Sequence, residues 1–191
     1  VTLVVNAMTW YSVREQAEDG NFYWVTRQKK TGVITETLTT DASGAAMLAW
    51  TPKTAGEYKI DATARDSKGH NLRSGAYTWV SGRTFVAWRQ ENNNRIKLVT
   101  DKDEYKVGES AELLIPSPYQ GPVKALVTTE RGRVITHEVI DLEGNSEVLR
   151  IPIEGRHAPN VYVTVTIMKG IDVTTPSPSF KVGMALLKVS V

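Results

Sequence analysis

Three histidines, His70, His137 and His157, are the only side chains here that change charge near neutral pH without special tuning. A serine-type triad would need one of them between an orienting carboxylate and a nucleophile on a sharp elbow. His70 follows the Asp66-Ser-Lys-Gly69 turn, His137 lies in a strand-like run, and His157 sits in a polar turn before Pro159. No Gly-x-Ser-x-Gly occurs, so a catalytic histidine is not expected. The carboxylates Asp101, Asp103 and Glu104 are clustered. Paired acids do general acid–base work when one sits in an apolar pocket, whereas these are neighbours in a turn where water keeps them ionised. The same cluster, or Asp61 with Asp66, offers oxygen ligands of the kind calcium takes. The loop pattern Asp-x-Asp-x-Asp-Gly that would organise them is missing.

There is no cysteine, which removes disulfides, thiolate metal sites, thiol nucleophiles and any thioester from these residues. No phosphate-cradling loop, dinucleotide fingerprint or zinc spacing occurs either. The sequence therefore predicts no catalytic, cofactor-binding or metal-binding residue. Arg27, Lys29 and Lys30 form the densest basic group and are read as a solvated hairpin tip beside Gly32. A nucleic-acid surface would need a basic stripe across several strands with aromatic platforms, and no nucleic-acid partner is expected. Trp10, Tyr11, Phe22, Tyr23 and Trp24 cluster on what should be neighbouring strands, with Trp50, Tyr58 and Trp79 further along. Cross-strand packing is their commoner use. An exposed interdomain patch or a sugar platform is the alternative.

The elements that would hold these residues are short and have period two. At 191 residues with a net charge of +2, the chain has room for one large domain or two of about 100 residues. Its 41% hydrophobic and 23% charged residues are those of a globular protein. No apolar run approaches the roughly 18–20 residues of a membrane-spanning helix. In the second half, strands are predicted at 95–100, 110–116, 123–130, 133–141, 147–153, 161–170 and 180–188, with clear alternation in Ala111, Leu113, Ile115 and in Val161, Val163, Val165, Ile167. Such runs offer one apolar face to a partner sheet. Gly108 and Gly132 mark turns, and Pro152 demotes its strand to an edge. Gly121, Pro116 and Pro118 punctuate the same region. In the first half, strands are predicted at 2–11, 22–29, 33–39, 46–50, 57–65 and 72–80, with turns at Asp41-Ala-Ser-Gly44 and Asp66-Ser-Lys-Gly69.

The fold class predicted is all-β: two consecutive immunoglobulin- or fibronectin-like antiparallel β-sandwiches. The domains are expected at 1–84 and 95–191, joined by a short packed hinge at 85–94. The first is expected to lack its N-terminal strands, because Val1-Thr-Leu-Val-Val5 reads as the middle of a strand and carries no leader pattern. Thr174-Thr-Pro-Ser-Pro178 reads as a loop before the last strand.

The turns themselves are distinctive. Leu98-Val-Thr-Asp-Lys-Asp-Glu-Tyr-Lys-Val-Gly-Glu109, Pro116-Ser-Pro-Tyr-Gln-Gly121, Leu126-Val-Thr-Thr-Glu-Arg-Gly132 and Pro159-Asn-Val-Tyr-Val163 resemble the bait-region family domain of bacterial alpha-2-macroglobulins. Thr39-Thr-Asp-Ala-Ser-Gly44, Gly56-Glu-Tyr58, Ala62-Thr-Ala-Arg-Asp66 and Tyr77-Thr-Trp-Val-Ser-Gly82 resemble the preceding macroglobulin-like domain. Phe180-Lys-Val-Gly183 resembles the family's exit into the next domain. The resemblance implies a non-enzymatic scaffold piece of a large bacterial protease inhibitor that is cut in a bait segment, changes shape and traps the attacker. It implies an extracellular, periplasmic or cell-envelope location. It also implies neighbouring domains of the parent as partners, with target proteinases met through the parent. No bait-like insert is found, so that segment is expected outside these residues. Competing readings are an immunoglobulin-like repeat of a surface adhesion protein and a carbohydrate-binding module of a secreted hydrolase.

Overall fold

The computed structural model describes residues 1–191 except 17, 19, 21, 90, 92 and 173–176, and for 12, 14 and 22–24 the backbone alone. The Phe22-Tyr23-Trp24 side chains and most of the Thr174–Pro178 loop thus lie outside the described residues. The chain is all-β and divides into two compact units, Val1–Gly82 with Ala87–Arg89, and Arg83–Val86 with Gln90–Val191.

Unit 1 is one antiparallel sheet. Its strands are β1 (Thr2–Gln16), β2 (Phe22–Thr37), β3 (Gly56–Arg65) and β4 (Asn71–Val80), in the order β2-β1-β3-β4. Two predicted strands, 22–29 and 33–39, are a single strand running through Gly32, which pairs with Asn6. The register shift between Val5 and Asn6 leaves Val33 as the extra residue of a bulge. Gly32 therefore marks a bulge rather than a turn, because β1 supplies a partner along the whole length of β2. β1 pairs with β3 over Thr2–Met8 and continues beyond Met8 against β2. The predicted strand at 46–50 does not form. Its Trp50 instead packs edge-on against Tyr58, with ring centroids 5.0 Å apart. Val5 and Tyr58 lie on one face of this sheet and are each 2% exposed.

Unit 2 is a sandwich of two sheets. One has the order β10-β7-β5, from β5 (Val99–Thr100), β7 (Ser110–Pro116) and β10 (Ser146–Pro152). The other has the order β6-β12-β11-β8-β9, from β6 (Glu104–Lys106), β8 (Val123–Glu130), β9 (Val134–Leu142), β11 (Asn160–Lys169) and β12 (Ser179–Ser190). All pairs are antiparallel except β6 on β12. The alternation expected in β7 and β11 is realised fully: Ala111, Leu113, Ile115, Val161, Val163, Val165 and Ile167 are all 0% exposed. Burying each of the Val, Leu and Ile side chains among them contributes on the order of 1.5–3 kcal/mol. Pro152 lies on β10, an edge strand, where its missing N–H costs no ladder bond. The predicted strand at 95–100 shrinks to β5, with Arg95 contributing a single parallel bridge to Val182. Glu104–Lys106, read as a turn, is a strand.

Gly183 makes room for the segment before β5. A Cβ there would stand 2.7 Å from Leu98 Cγ and 2.9 Å from Ile96 Cγ1, so the 96–98 segment lies hard against the β12 backbone. Gly108 has φ +95° and turns the chain from β6 into β7, a conformation that costs glycine little.

Candidate functional site

The three histidines are not brought together. His70 is exposed, and its Nδ1 lies 2.7 Å from Oδ2 of Asp66 in the turn predicted from sequence. Asp66 Oδ1 also accepts the N–H groups of Lys68 and His70, at 2.9 and 2.8 Å. The His70 bond, the largest contribution, and these N–H groups hold the Asp66 carboxyl below its ordinary range. His137 is exposed on β9, opposite Thr128. His157 ends a short 3₁₀ turn, η1 (Gly155–His157), and is 2% exposed. Its Nδ1 accepts the N–H of Glu154 at 3.1 Å. Burial pushes its pKa below the ordinary value, so His157 serves as a neutral, buried cap.

Of the clustered acids Asp101, Asp103 and Glu104, it is Asp101 that ties the turn together. Asp101 Oδ1 accepts the Tyr105 hydroxyl and the N–H of Glu112, both at 2.8 Å. The Lys102 N–H reaches the same hydroxyl oxygen at 3.2 Å. Glu109 takes the Lys106 N–H at 3.0 Å and pairs with Lys102 at 3.1 Å; these two contacts, the first the larger, lower its pKa. The 101–112 segment is thus tied to itself by Asp101 and Glu109, and Tyr105, 1% exposed, is its anchor. Asp61 pairs with Lys59 at 2.6 Å on β3. Among the described residues, no group of three or more His, Cys, Asp or Glu is placed to hold a metal ion.

Arg27, Lys29 and Lys30 are not at a hairpin tip. They lie within β2, opposite Tyr11, Thr9 and Met8, and Arg27 pairs with Glu15 on β1. Among the aromatics, Trp10 donates its indole N–H to Glu57 Oε2 at 2.7 Å, and the Arg89 guanidinium lies 5.3 Å from the Trp10 ring centre. Tyr77 and Trp79 stack at 6.4 Å on one face of β4. Tyr11 is 46% exposed.

One buried polar side chain in unit 2 makes three hydrogen bonds to backbone. Asn145, in the turn from β9 to β10, is 5% exposed. Its Oδ1 accepts the Val86 N–H at 3.0 Å, and its Nδ2 donates to the carbonyls of Val86 at 2.7 Å and Ser117 at 3.2 Å. Its own carbonyl accepts the Ser117 N–H at 3.1 Å. In sequence Asn145 is merely a turn residue. Nothing local announces a bond to a residue 59 positions away.

The sandwiched antiparallel sheets of unit 2, with strand β6 added in parallel at one edge, define an immunoglobulin-like β-sandwich scaffold. The family profile for the alpha-2-macroglobulin bait region domain matches residues 96–191, half of the chain, and the chain belongs to that family. The family is one of protease inhibitors rather than enzymes. An alpha-2-macroglobulin homolog of Nostoc sp. is 24% identical over 136 residues, covering 71% of this chain and 7% of that protein. The Yersinia pestis homolog is 26% identical over 85% of this chain and 8% of its own length. Alpha-2-macroglobulin of Ralstonia nicotianae is 31% identical over 70% of this chain and 9% of its own length. Among solved structures, the native conformation of E. coli alpha-2-macroglobulin is 17% identical, covering all of this chain and 12% of that one, with a TM-score of 0.45. The chain thus spans less than a tenth of the length of these curated relatives. No helix among the described residues is long and apolar enough to cross a membrane, which says nothing of β-barrels.

Proposed function

We propose that this chain is a structural scaffold segment of a bacterial alpha-2-macroglobulin-type protease inhibitor, whose parent traps proteinases after bait cleavage. The observation that carries the reading is the bait region domain match across 96–191, a stretch whose side chains are spent on a sandwich core and its turns. The scaffold's work is then mechanical: rigid domains that shift against their neighbours when the bait, outside these residues, is cut. The neighbouring domains of the parent are its direct partners, and target proteinases are met through the parent. An extracellular, periplasmic or cell-envelope location fits that role.

The same reading divides the chain into macroglobulin-like domains at 1–84 and 95–191 with a hinge at 85–94. Strand order supports a common architecture: β2-β1-β3-β4 in unit 1 corresponds to β9-β8-β11-β12 in unit 2, hairpin for hairpin. Unit 2 adds β6 outside β12 and the β10-β7-β5 sheet across the core. On this view the counterparts of β5, β6 and β7 would precede β1, as those strands precede β8, and that of β10 would fall between β2 and β3.

The test is to incubate the full-length parent with a proteinase and follow its size and retained enzyme. A compact cleaved form holding the proteinase is expected. Cleavage without compaction or retention would overturn the trapping function.

A further inference from the structure

The connection from β4 into unit 2 carries a residue whose backbone is treated as a ligand. Val86 is 8% exposed, and both of its peptide groups that a neighbouring strand would normally satisfy are taken by one side chain, the Asn145 carboxamide. A carboxamide presents an acceptor and a donor in one plane, as the C=O and N–H of an extended strand do, with a second donor to spare. Asn145 is itself held in place: its carbonyl accepts the Ser117 N–H, and its Nδ2 also reaches the Ser117 carbonyl. Ser117 is 0% exposed, and its hydroxyl accepts the Tyr119 N–H at 3.2 Å. The orientation of the amide is fixed chemically, since a flip would set its NH₂ against the Val86 N–H and its oxygen against two carbonyls.

We propose that Asn145 is a backbone-binding site, a clasp that holds the Arg83–Val86 segment on unit 2 without reading its side chains. Because it recognises peptide groups, the clasp opens as a unit: losing the carboxamide leaves the Val86 N–H and carbonyl and the Ser117 carbonyl without these bonds at a buried place. Closed, it keeps the bond after Arg83 from being drawn into a protease cleft, since the residues that follow, Thr84-Phe85-Val86, are tied at Val86. The clasp stands on its own geometry. Only its use, as a guard on the connection while bait is cut elsewhere, rests on the function proposed above.

The experiment is residue-resolved amide exchange, with tryptic cleavage after Arg83, on the chain carrying Asn145→Ala and separately Asn145→Asp. The aspartate keeps the shape and an acceptor for Val86 but opposes oxygen to two carbonyls. Val86 is expected to exchange at least about tenfold faster in both variants, as loss of two or three buried hydrogen bonds implies. Cleavage after Arg83 should accelerate, while Val163 and Val165 in β11 stay protected. Val86 protection and Arg83 cleavage unchanged from the parent chain would overturn the clasp. So would loss of protection at Val163 and Val165 in step with Val86 in both variants, because Asn145 would then hold the whole unit rather than one segment. These readouts involve no proteinase trapping, so failure here is distinct from failure of the proposed function.

Discussion

Tyr105 donates its hydroxyl hydrogen to Asp101 Oδ1 at 2.8 Å, and that one oxygen also accepts the Glu112 N–H at the same distance. A single carboxylate therefore ties β6 to the start of β7. Replacing Tyr105 by Phe removes its bond to Asp101 and the longer contact from the Lys102 N–H but keeps the ring in the core, so a loss of about 1 kcal/mol is expected in chemical denaturation. Asp101→Ala strands both donors and should cost more, about 2 kcal/mol. Equal effects of the two substitutions would contradict this.

The same pair gives a pH dependence. Burial, and then the bond to Asp101, raise the Tyr105 pKa to about 12 from 10.0. An acid whose folded pKa is raised contributes stability that is complete below the unfolded value and is lost as pH climbs towards the folded one. Stability should therefore fall between about pH 10 and pH 12, and the Tyr105→Phe chain should lack that component. Denaturation midpoints of both chains across this range check it.

His157 acts at the other end of the scale. Burial disfavours its cation, so its folded pKa lies below 6.5, against Glu154, which raises it, and Arg156 and Arg131, which lower it. The stability it contributes is present above pH 6.5 and is lost as pH falls through the folded value. A His157→Gln chain, unable to take up that proton, should show a flatter decline below pH 6.5 when unfolding is followed by far-ultraviolet circular dichroism. An unchanged slope would remove His157 from the account.

Gly183→Ala should destabilise unit 2 by about 1–3 kcal/mol through overpacking, because its Cβ would meet Leu98, Ile96 and the Ile96 carbonyl at 2.7, 2.9 and 3.0 Å. Gly155→Ala is the control, with nothing within 4 Å of the added carbon. Urea unfolding of the two variants should separate them clearly.

The outer edge of β4 offers a further check on the domain reading. β4 carries a single charge, Arg73, and no proline, so it has few of the devices that protect edges from pairing. If unit 1 shares the plan of unit 2, a longer piece of the parent that includes the residues before Val1 should slow amide exchange along that edge. The counterpart of β6 would cover it. Exchange rates identical in both lengths would count against the shared plan.

Much of unit 2 is legible in the sequence. Period-two runs such as Val161 to Ile167 are a local property, and each landed buried on schedule. Gly108, Gly132 and Pro152 also did as their chemistry implies, for backbone preference is local too. The misreadings came where pairing at a distance decides. Gly32 looked like a turn because glycine usually punctuates strands, yet β1 runs alongside and absorbs it with a bulge. β6 is three residues long and exists because β12, more than 80 positions later, takes it in parallel register. Arg27, Lys29 and Lys30 lie within the same strand for the same reason.

What the sequence alone determined was the class: alternating strands, the turns between them, the absence of cysteine and the wording that ties the chain to alpha-2-macroglobulins. Only the tertiary structure decided which polar groups would meet. Asp101 became the tie for Tyr105, His157 a buried cap, and Asn145 the partner of a backbone 59 residues away. Alternation and turn preference are written in neighbouring residues. A hydrogen bond across the fold exists only after the sheets have closed and set its distance and exclusion of water.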